Sequence, residues 1–191
     1  MPDNKKMVEI RHFKMSFGDK TVIKDLSFDV FRGEVFGFLG SNGSGKTTTL
    51  RALLGLYQPT AGDLLINGKP YSVESQIRLG YLPEERGLYK KEKVLDVMLY
   101  FGQLKGLSRK EAKDFSLKFL ERVNLSDKAN TQLDKLSGGQ QQKIQLGVTI
   151  MGNPELLIMD EPAKGFDPVN RRLLMNIIEE QRKAGATIIY V

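Results

Sequence analysis

A glycine-rich stretch from residue 40 to residue 47 constrains this chain more than any other feature of its sequence. The stretch reads Gly-Ser-Asn-Gly-Ser-Gly-Lys-Thr and fits the pattern G-x-x-x-x-G-K-[ST] at every fixed position. It follows a predicted strand over residues 34–39 and leads into a predicted helix over residues 46–54. A loop in this position turns its backbone N–H groups inward and opens a helix whose free N–H groups attract anions. The order of elements therefore predicts a phosphate-binding loop.

The residue types in this loop each serve a chemical purpose. Lys46 is expected to reach the β- and γ-phosphates of a nucleotide, and Thr47 to place its hydroxyl on Mg²⁺. Glycines are needed because side chains at those positions would obstruct the phosphates. The predicted nucleotide contacts of the loop are Gly40, Ser41, Asn42, Gly43, Ser44, Gly45, Lys46, Thr47 and Thr48. Nucleotide binding is the main prediction from the residues alone.

The rest of the chain predicts an α/β fold. Short β-like runs bounded by glycine-containing turns stand at residues 8–13, 22–30 and 64–66. The apolar run 156–159 is typical of a strand buried on both faces of a parallel sheet. A helix is expected over residues 169–183 and a last strand over residues 186–191. Because that strand reaches the final residue, we expect the sequence to be truncated at its C-terminal end.

Composition excludes several function classes. The 191 residues contain no Cys and one His, which excludes disulfide frameworks, Cys-ligated zinc, iron–sulfur clusters and thiol nucleophiles. That histidine, His12, is expected on the surface of a strand. No apolar run approaches the about 18 residues of a membrane span, and no signal-peptide segment follows the N-terminus, so we expect a cytosolic chain. The net charge of +6 is spread along the chain and favours anionic partners only weakly.

A helical region over residues 94–151 contains a second glycine-containing helix start. Ser108 is predicted to cap one helix and Ser137 another. Gly138 and Gly139, which follow Ser137, would expose backbone N–H groups to an anion. Taken alone, this pattern is more often a plain helix cap. Its place 16 residues before an apolar run that ends in two carboxylates makes a phosphate contact the preferred interpretation.

Two carboxylates close the apolar run at residues 156–159. In enzymes with a phosphate-binding loop, an acidic residue at the end of a neighbouring strand holds Mg²⁺, and here that residue is Asp160. Glu161, placed near a terminal phosphate, would polarise a water molecule for in-line attack. An acidic turn without a ligand is the alternative, and the nearby phosphate-binding loop argues against it.

Together these motifs resemble the nucleotide-binding domain of ABC transporters over essentially the whole chain. Residues 40–47 match the family's Walker A motif, residues 136–140 its LSGGQ signature, and residues 156–160 its Walker B motif. Glu161 takes the position of the catalytic glutamate. The resemblance implies an α/β P-loop NTPase core with a mixed, mainly parallel sheet, an N-terminal antiparallel β region and a helical subdomain.

The resemblance also implies a domain layout and a set of ligand contacts. Residues 1–191 would form a single domain, with an ATPase core at about 1–80 and 155–191 and a helical, signature-bearing subdomain at about 85–153. ATP and Mg²⁺ are the implied cofactors, and two copies would bind head to tail around ATP. Contacts implied by the family are the signature residues Ser137, Gly138, Gly139 and Gln140, the adenine-stacking Phe17 with its neighbour Val22, and the D-loop residue Asp167. Metal contacts are implied for Thr47, Glu84 and Asp160.

Within the family, residues 80–91 and 165–170 look most like the ATP-binding subunits of bacterial sodium- and drug-export systems. This likeness implies an ATP-hydrolysing subunit that powers a separate integral-membrane permease from the inner face of the cell membrane. A cytoplasmic helix of the permease would dock near residues 80–85. No specific nucleic acid is expected as a partner.

Some positions depart from the family pattern and keep alternatives open. Glu84 stands where the family usually has Gln, which predicts an altered metal dependence, and Ala163 and Lys164 stand in a turn where Thr and a small polar residue are commoner. The switch histidine of the family is absent, so the piece is expected to hydrolyse ATP weakly. One alternative is a soluble ABC-type ATPase that acts on ribosomes or nucleic acid. Another is a module that binds ATP without turnover.

Overall fold

The computed structural model describes residues 5–72, 74–85 and 87–191. Its strands and helices, in chain order, are β1 (Lys6–Phe17), β2 (Lys20–Phe31), β3 (Val35–Gly37), α1 (Lys46–Leu53), β4 (Ala61–Ile66), β5 (Leu79–Leu82), α2 (Val94–Leu104), α3 (Arg109–Arg122), α4 (Gly138–Ile150), β6 (Leu156–Met159), α5 (Pro168–Lys183) and β7 (Thr187–Tyr190). Two short 3₁₀ turns, Ser126–Lys128 and Leu133–Lys135, lie between α3 and α4. The predicted α/β class is confirmed.

The central sheet is parallel, with the strand order β3-β7-β6-β5. All four residues of β6 are buried, as its continuous apolar run predicts. Side chains alternate along the strand: Leu157 and Met159 join one hydrophobic cluster, while Leu156 and Ile158 join the other. The sheet is therefore covered on both faces, which places the strand ends, and not the strand faces, within reach of a ligand.

Strand β5 was not predicted from the sequence. It has only four residues, and one of them is Gly80, which weakens a strand pattern. The structure explains this glycine, because a Cβ atom at residue 80 would lie 2.6 Å from the carbonyl oxygen of Thr149 on α4. Close packing of α4 against the sheet therefore requires glycine at this position.

A second sheet is antiparallel, with the strand order β2-β1-β4. The strands predicted at residues 8–13 and 22–30 are present and extend further, so that Phe17 pairs with Lys20 across a tight turn. His12 lies at an irregularity of β1 with φ of +46°, and its exposed ring approaches Asp25 at 3.3 Å. Its expected surface position is confirmed.

The two sheets and the helices form two hydrophobic clusters, one on each face of the parallel sheet. Side chains of α2, α3, α4 and α5 share one cluster with Leu157 and Ile188. Side chains of α1 and the antiparallel sheet share the other with Leu156 and Ile189. Helix α1, which follows the phosphate-binding loop, and the helical region thus lie on opposite faces of strands β6 and β7.

Polar side chains form hydrogen bonds at the starts and ends of helices in the helical region. Ser108 forms a capping box with Glu111, and Ser137 forms one with Gln140, so both predicted caps are confirmed. At the other end of α4, the partly buried Lys105 ammonium donates to the carbonyl oxygens of Val148 and Thr149, both at 2.7 Å. No helix in the described part of the chain combines the length and the apolar character that crossing a membrane requires.

Candidate functional site

The glycine-rich loop connects β3 to α1 and curls around its own lysine. Gly45, the N-cap of α1, has φ of +93°, and a Cβ atom there would lie 2.9 Å from Ile23. Both the backbone angle and the contact require glycine at this position. The Lys46 ammonium donates to the carbonyl oxygens of Gly40 at 2.9 Å and Ser41 at 3.0 Å. The loop therefore holds a positive charge at the N-terminus of α1, as the sequence predicts.

This loop lines a pocket of about 350 Å³ together with residues from two other strand ends. Glu84 reaches it from the segment after β5, and Glu161 and Lys164 from the segment after β6. The complete lining consists of Val22, Asn42, Gly43, Gly45, Lys46, Thr47, Thr48, Glu84, Glu161 and Lys164. The carboxyl ends of parallel strands meet at one edge, which brings these distant parts of the sequence together.

Asp160 lies below this pocket and is 1% exposed. Its backbone N–H donates to the carbonyl oxygen of Leu82 at 2.9 Å, yet neither carboxylate oxygen has a hydrogen-bond partner among the described residues. Burial raises the pKa of Asp160; the nearby Thr47 side chain opposes the rise, and the negative charges of Glu84 and Glu161 add to it. A buried carboxylate without a partner is costly, so a cation beside it would be favourable.

The donor set near Asp160 fits Mg²⁺. A carboxylate and the Thr47 hydroxyl are hard oxygen ligands, and Mg²⁺ is commonly held by one or two protein groups together with phosphate oxygens and water. Among the described residues, no group of three or more His, Cys, Asp or Glu side chains forms a metal site by itself.

Glu161 adopts a backbone conformation that is uncommon for a residue with a side chain. Its φ is +48°, its N–H donates to the carbonyl oxygen of Val191 at 3.1 Å, and its carbonyl oxygen accepts from the N–H of Lys164 at 3.0 Å. Such left-handed geometry costs about 1–3 kcal/mol and persists where the surroundings enforce it. The turn after β6 therefore directs a carboxylate into the pocket at the expense of local strain.

Lys164 forms the ion pair that sequence reasoning missed. Its ammonium contacts the Glu84 carboxylate and lies 3.8 Å from Oε2 of Glu161. The hydrogen bond and the negative charge of Glu84 raise the pKa of Lys164. The available signal was that both Glu84 and Lys164 depart from the family pattern, but nothing in the sequence pairs them.

The other predicted contacts lie outside this pocket. Ser137 and Gln140 bond each other at the start of α4, and Asp167 accepts from the N–H of Asn170 at 2.8 Å and caps α5. Phe17 is 46% exposed and meets the ring of Tyr57 edge-on, with 5.5 Å between ring centres. Gly138 and Gly139 belong to the first turn of α4. The chain therefore presents two separate groups of predicted nucleotide contacts.

Buried polar side chains of α4 bond to the segment that carries Glu84 into the pocket. Sequence reasoning missed these bonds as well. The Gln145 side-chain amide donates to the carbonyl oxygen of Glu85 at 3.1 Å. The Thr149 hydroxyl lies 3.4 Å from the carbonyl oxygen of Tyr81 and 2.8 Å from that of Gln145. Polar residues among the apolar ones in the second half of α4, residues 144–150, were the signal that could have indicated this contact.

Comparison with known proteins identifies the family. Residues 23–164 match the family model described as ABC transporter, a stretch that includes every residue of the pocket lining except Val22. The chain belongs to the ABC transporter family. The resemblance in the Walker A, signature and Walker B motifs is thereby confirmed, and the P-loop NTPase fold with it.

Two relatives and one solved structure of this family are similar over nearly the whole chain. An uncharacterized ABC transporter ATP-binding protein of Methanocaldococcus jannaschii is 43% identical over 97% of this chain and 67% of its own length. The Nod factor export ATP-binding protein I of Cupriavidus pinatubonensis is 37% identical over 96% of this chain and 57% of its own length. A structure described as the ATP binding subunit of an ABC transporter superposes with a TM-score of 0.86 at 28% identity, covering 96% of this chain and 78% of that one. The chain thus spans roughly 57% to 67% of the length of these curated relatives.

Proposed function

We propose that this chain is the ATP-binding and ATP-hydrolysing part of an ABC exporter. The observation that carries the proposal is the pocket in which Lys46, Thr47 and Glu161 meet above the buried carboxylate of Asp160. A relative with an export function in its name adds support for the direction of transport.

In the pocket and beside it, each residue has a defined task. Lys46 and the backbone N–H groups of the loop bind the phosphates, and the exposed Phe17, outside the pocket lining, is assigned with Val22 to the adenine base. Thr47 and Asp160 would hold Mg²⁺, which when bound would supply positive charge to the phosphates. The Glu161 carboxylate, 38% exposed in its side chain, accepts a proton from water or orients it for attack, a role worth about 10²–10⁴-fold in rate.

The second group of contacts supports a head-to-tail dimer. Ser137, Gly138, Gly139 and Gln140 lie at the start of α4, outside the pocket lining of their own chain, and Asp167 caps helix α5. A helix start with two glycines offers free N–H groups to an anion. In the proposed assembly that anion is the nucleotide bound to a second copy, so ATP itself holds the two copies together.

An exposed aromatic surface supports a permease partner. Tyr89 and Tyr100 are 54% and 46% exposed, and their ring centres lie 5.7 Å apart. Both line a pocket of about 410 Å³, together with Glu92, Asp96 and Val97. Aromatic residues around a concave site are typical of protein interfaces. We place the docking of a permease helix here, shortly after the segment expected from the sequence, with the chain on the inner face of the membrane.

The same proposal includes a division of labour along the chain. We assign residues of about 1–80 and 155–191 to an ATPase core and residues of about 85–153 to a helical subdomain that carries the signature. Direct packing of α2, α3 and α4 against one another supports this division. The alternative of an ATPase acting on ribosomes or nucleic acid is supported only by the net charge of +6. Lys46 and Glu161 in one pocket argue against a module without turnover.

Dimerisation on ATP tests the proposal. A Glu161→Gln variant, which retains the binding residues but lacks the base, is expected to convert from monomer to dimer on addition of Mg-ATP, as measured by size-exclusion chromatography with light scattering. Gly139→Asp in that background is the control. A Cβ atom at residue 139 has its nearest contact at 3.9 Å, so the fold tolerates the change, while the added carboxylate repels the partner's phosphates. A mass that does not respond to Mg-ATP, or responds equally in both variants, contradicts the proposal.

A further inference from the structure

Lys164 brings a second cation into a pocket that otherwise contains an excess of carboxylates. Glu84 and Glu161 line the pocket, and Asp160 lies buried beneath it. Opposite them stand two ammonium groups, those of Lys46 and Lys164. Without Lys164, the protein would supply a single ammonium group, that of Lys46, beside these three carboxylates, at the place where the proposed function puts a polyphosphate.

The position of Lys164 ties it to both exposed carboxylates of the pocket. Its ammonium pairs with Glu84, which lies 80 residues earlier in the chain, and it reaches to 3.8 Å from Glu161. Its side chain is 60% exposed, so the group faces the open pocket and not the core. An ion pair this exposed contributes little to folding stability, which leaves an electrostatic effect on a bound anion as its main consequence.

Glu84 is the charge that most needs this compensation. Like charges a few ångströms apart repel by about 1–4 kcal/mol, depending on how much water screens them. A carboxylate at residue 84 therefore opposes the binding of an anion to the same pocket. The Lys164 ammonium, in direct contact with it, cancels most of that field while leaving the positive charge of Lys46 free to act on the phosphates.

We propose that Lys164 is a positioning residue of the nucleotide site: by pairing with Glu84 it neutralises that carboxylate, so that the pocket accepts the triphosphate of ATP. The inference rests on the proposed function. It specifies that the effect of residue 164 on the affinity for Mg-ATP depends on the charge at residue 84. Removing both charges leaves the net charge of the pocket unchanged, whereas removing the lysine alone does not.

A double-mutant cycle on ATP affinity tests this dependence. Dissociation constants for Mg-ATP are measured by equilibrium dialysis at fixed Mg²⁺ and salt for wild type, Lys164→Met, Glu84→Gln and the double variant. Lys164→Met is expected to weaken binding about tenfold, equivalent to about 1.4 kcal/mol. The double variant is expected to return to within about threefold of wild type, and Lys164→Arg to bind like wild type, because arginine keeps the charge.

Two controls separate this effect from others. Lys183→Met removes another exposed lysine that is paired with a carboxylate, Glu179 at 3.6 Å, but lies outside the pocket lining, and it should leave the dissociation constant unchanged. Thermal unfolding should not distinguish Lys164→Met from wild type. Equal losses from Lys164→Met in the wild-type and Glu84→Gln backgrounds, or no loss at all, overturn the inference alone. Absence of Mg-ATP binding by wild type overturns the proposed function and this inference together.

Discussion

The side-chain amide of Gln145 donates to the backbone carbonyl oxygen of Glu85 at 3.1 Å, so helix α4 is bonded directly to the segment that carries Glu84 into the pocket. The bond joins residues 60 positions apart, and the Thr149 hydroxyl lies near the same segment at Tyr81. Helix α4, which begins with the signature residues, is thus bonded through its interior to the segment that carries Glu84.

Gln145→Leu should loosen the segment before and around Glu85 without unfolding the protein. The substitution removes the donor, but it also removes a buried Gln145 oxygen that has no partner in the described structure, so the net loss of stability should stay near about 1 kcal/mol. Hydrogen exchange of a peptide covering residues 79–85 should become faster. Gln103→Leu on the exposed surface of α2 is the control. Unchanged exchange in Gln145→Leu would show that the bond does not restrain the segment.

Lys105→Met should destabilise the C-terminal end of α4. The ammonium donates hydrogen bonds to the carbonyl oxygens of Val148, Thr149 and Met151. Carbonyl groups at the end of a helix have no partner within the helix. Loss of these bonds should lower the free energy of unfolding by about 1–3 kcal/mol at pH 7, measured by urea denaturation. A variant as stable as wild type would mean that these carbonyl oxygens find water instead.

The pH dependence of that difference follows from burial. Burial lowers the pKa of Lys105 to about 8 from its usual 10.5, so the unfolded chain binds the proton more tightly than the folded one between these values. Stability rises with pH wherever the unfolded state binds more protons. The advantage of wild type over Lys105→Met should therefore grow between pH 8 and pH 10.5. A difference that is flat or shrinking over this range would contradict the lowered pKa.

Gly45→Ala should lower the stability of the protein more than the same substitution at a matched glycine outside the loop. Residue 45 has φ of +93°, and an added methyl would meet Ile23 at 2.9 Å. The left-handed backbone alone costs about 1–3 kcal/mol, and the contact adds to it. Gly33→Ala is the matched control, since residue 33 has φ of +74° but no atom within 4 Å of the added carbon. Thermal denaturation should give a larger loss for Gly45→Ala; equal losses would mean that the contact with Ile23 relaxes freely.

Asp160→Asn should stabilise the protein in the absence of metal and abolish Mg²⁺-dependent nucleotide binding. The wild-type carboxylate is buried with no hydrogen-bond partner among the described residues, and an uncharged amide avoids most of the cost of burying a charge. We expect a gain of about 1 kcal/mol in EDTA. Asp114→Asn, on the exposed face of α3, should change neither property. Loss of stability in EDTA would show that the carboxylate has a structural partner.

The sequence predicted those parts of the site that depend on local patterns. The phosphate-binding loop is contiguous, and the positive φ of Gly43 and Gly45 favours glycine there independently of the contact between Gly45 and Ile23. The apolar run of β6 alternates between two clusters on opposite faces of the sheet, which is why it reads as continuously hydrophobic. The caps at Ser108 and Ser137 likewise depend on a residue three positions away.

Other parts of the site depend on packing and could not be predicted in this way. The pairs Lys164–Glu84 and Gln145–Glu85 join residues 80 and 60 positions apart, so no local pattern records them. Strand β5 was missed because Gly80 is present for a reason outside the strand, the close approach of Thr149 on α4. Sequence reasoning therefore indicated which chemistry the chain carries, and the tertiary structure determined which charges oppose each other.

Calorimetric titration of Mg-ATP into the purified chain tests the central claim most directly. Wild type should bind one ATP per chain saturably. Lys46→Ala should lose the binding heat, because that ammonium is the loop's own cation and is exposed enough to be removed without unfolding. Omitting Mg²⁺ should weaken binding by wild type. Heats that are absent in wild type, or identical in wild type and Lys46→Ala, would contradict the assignment of this pocket as an ATP site.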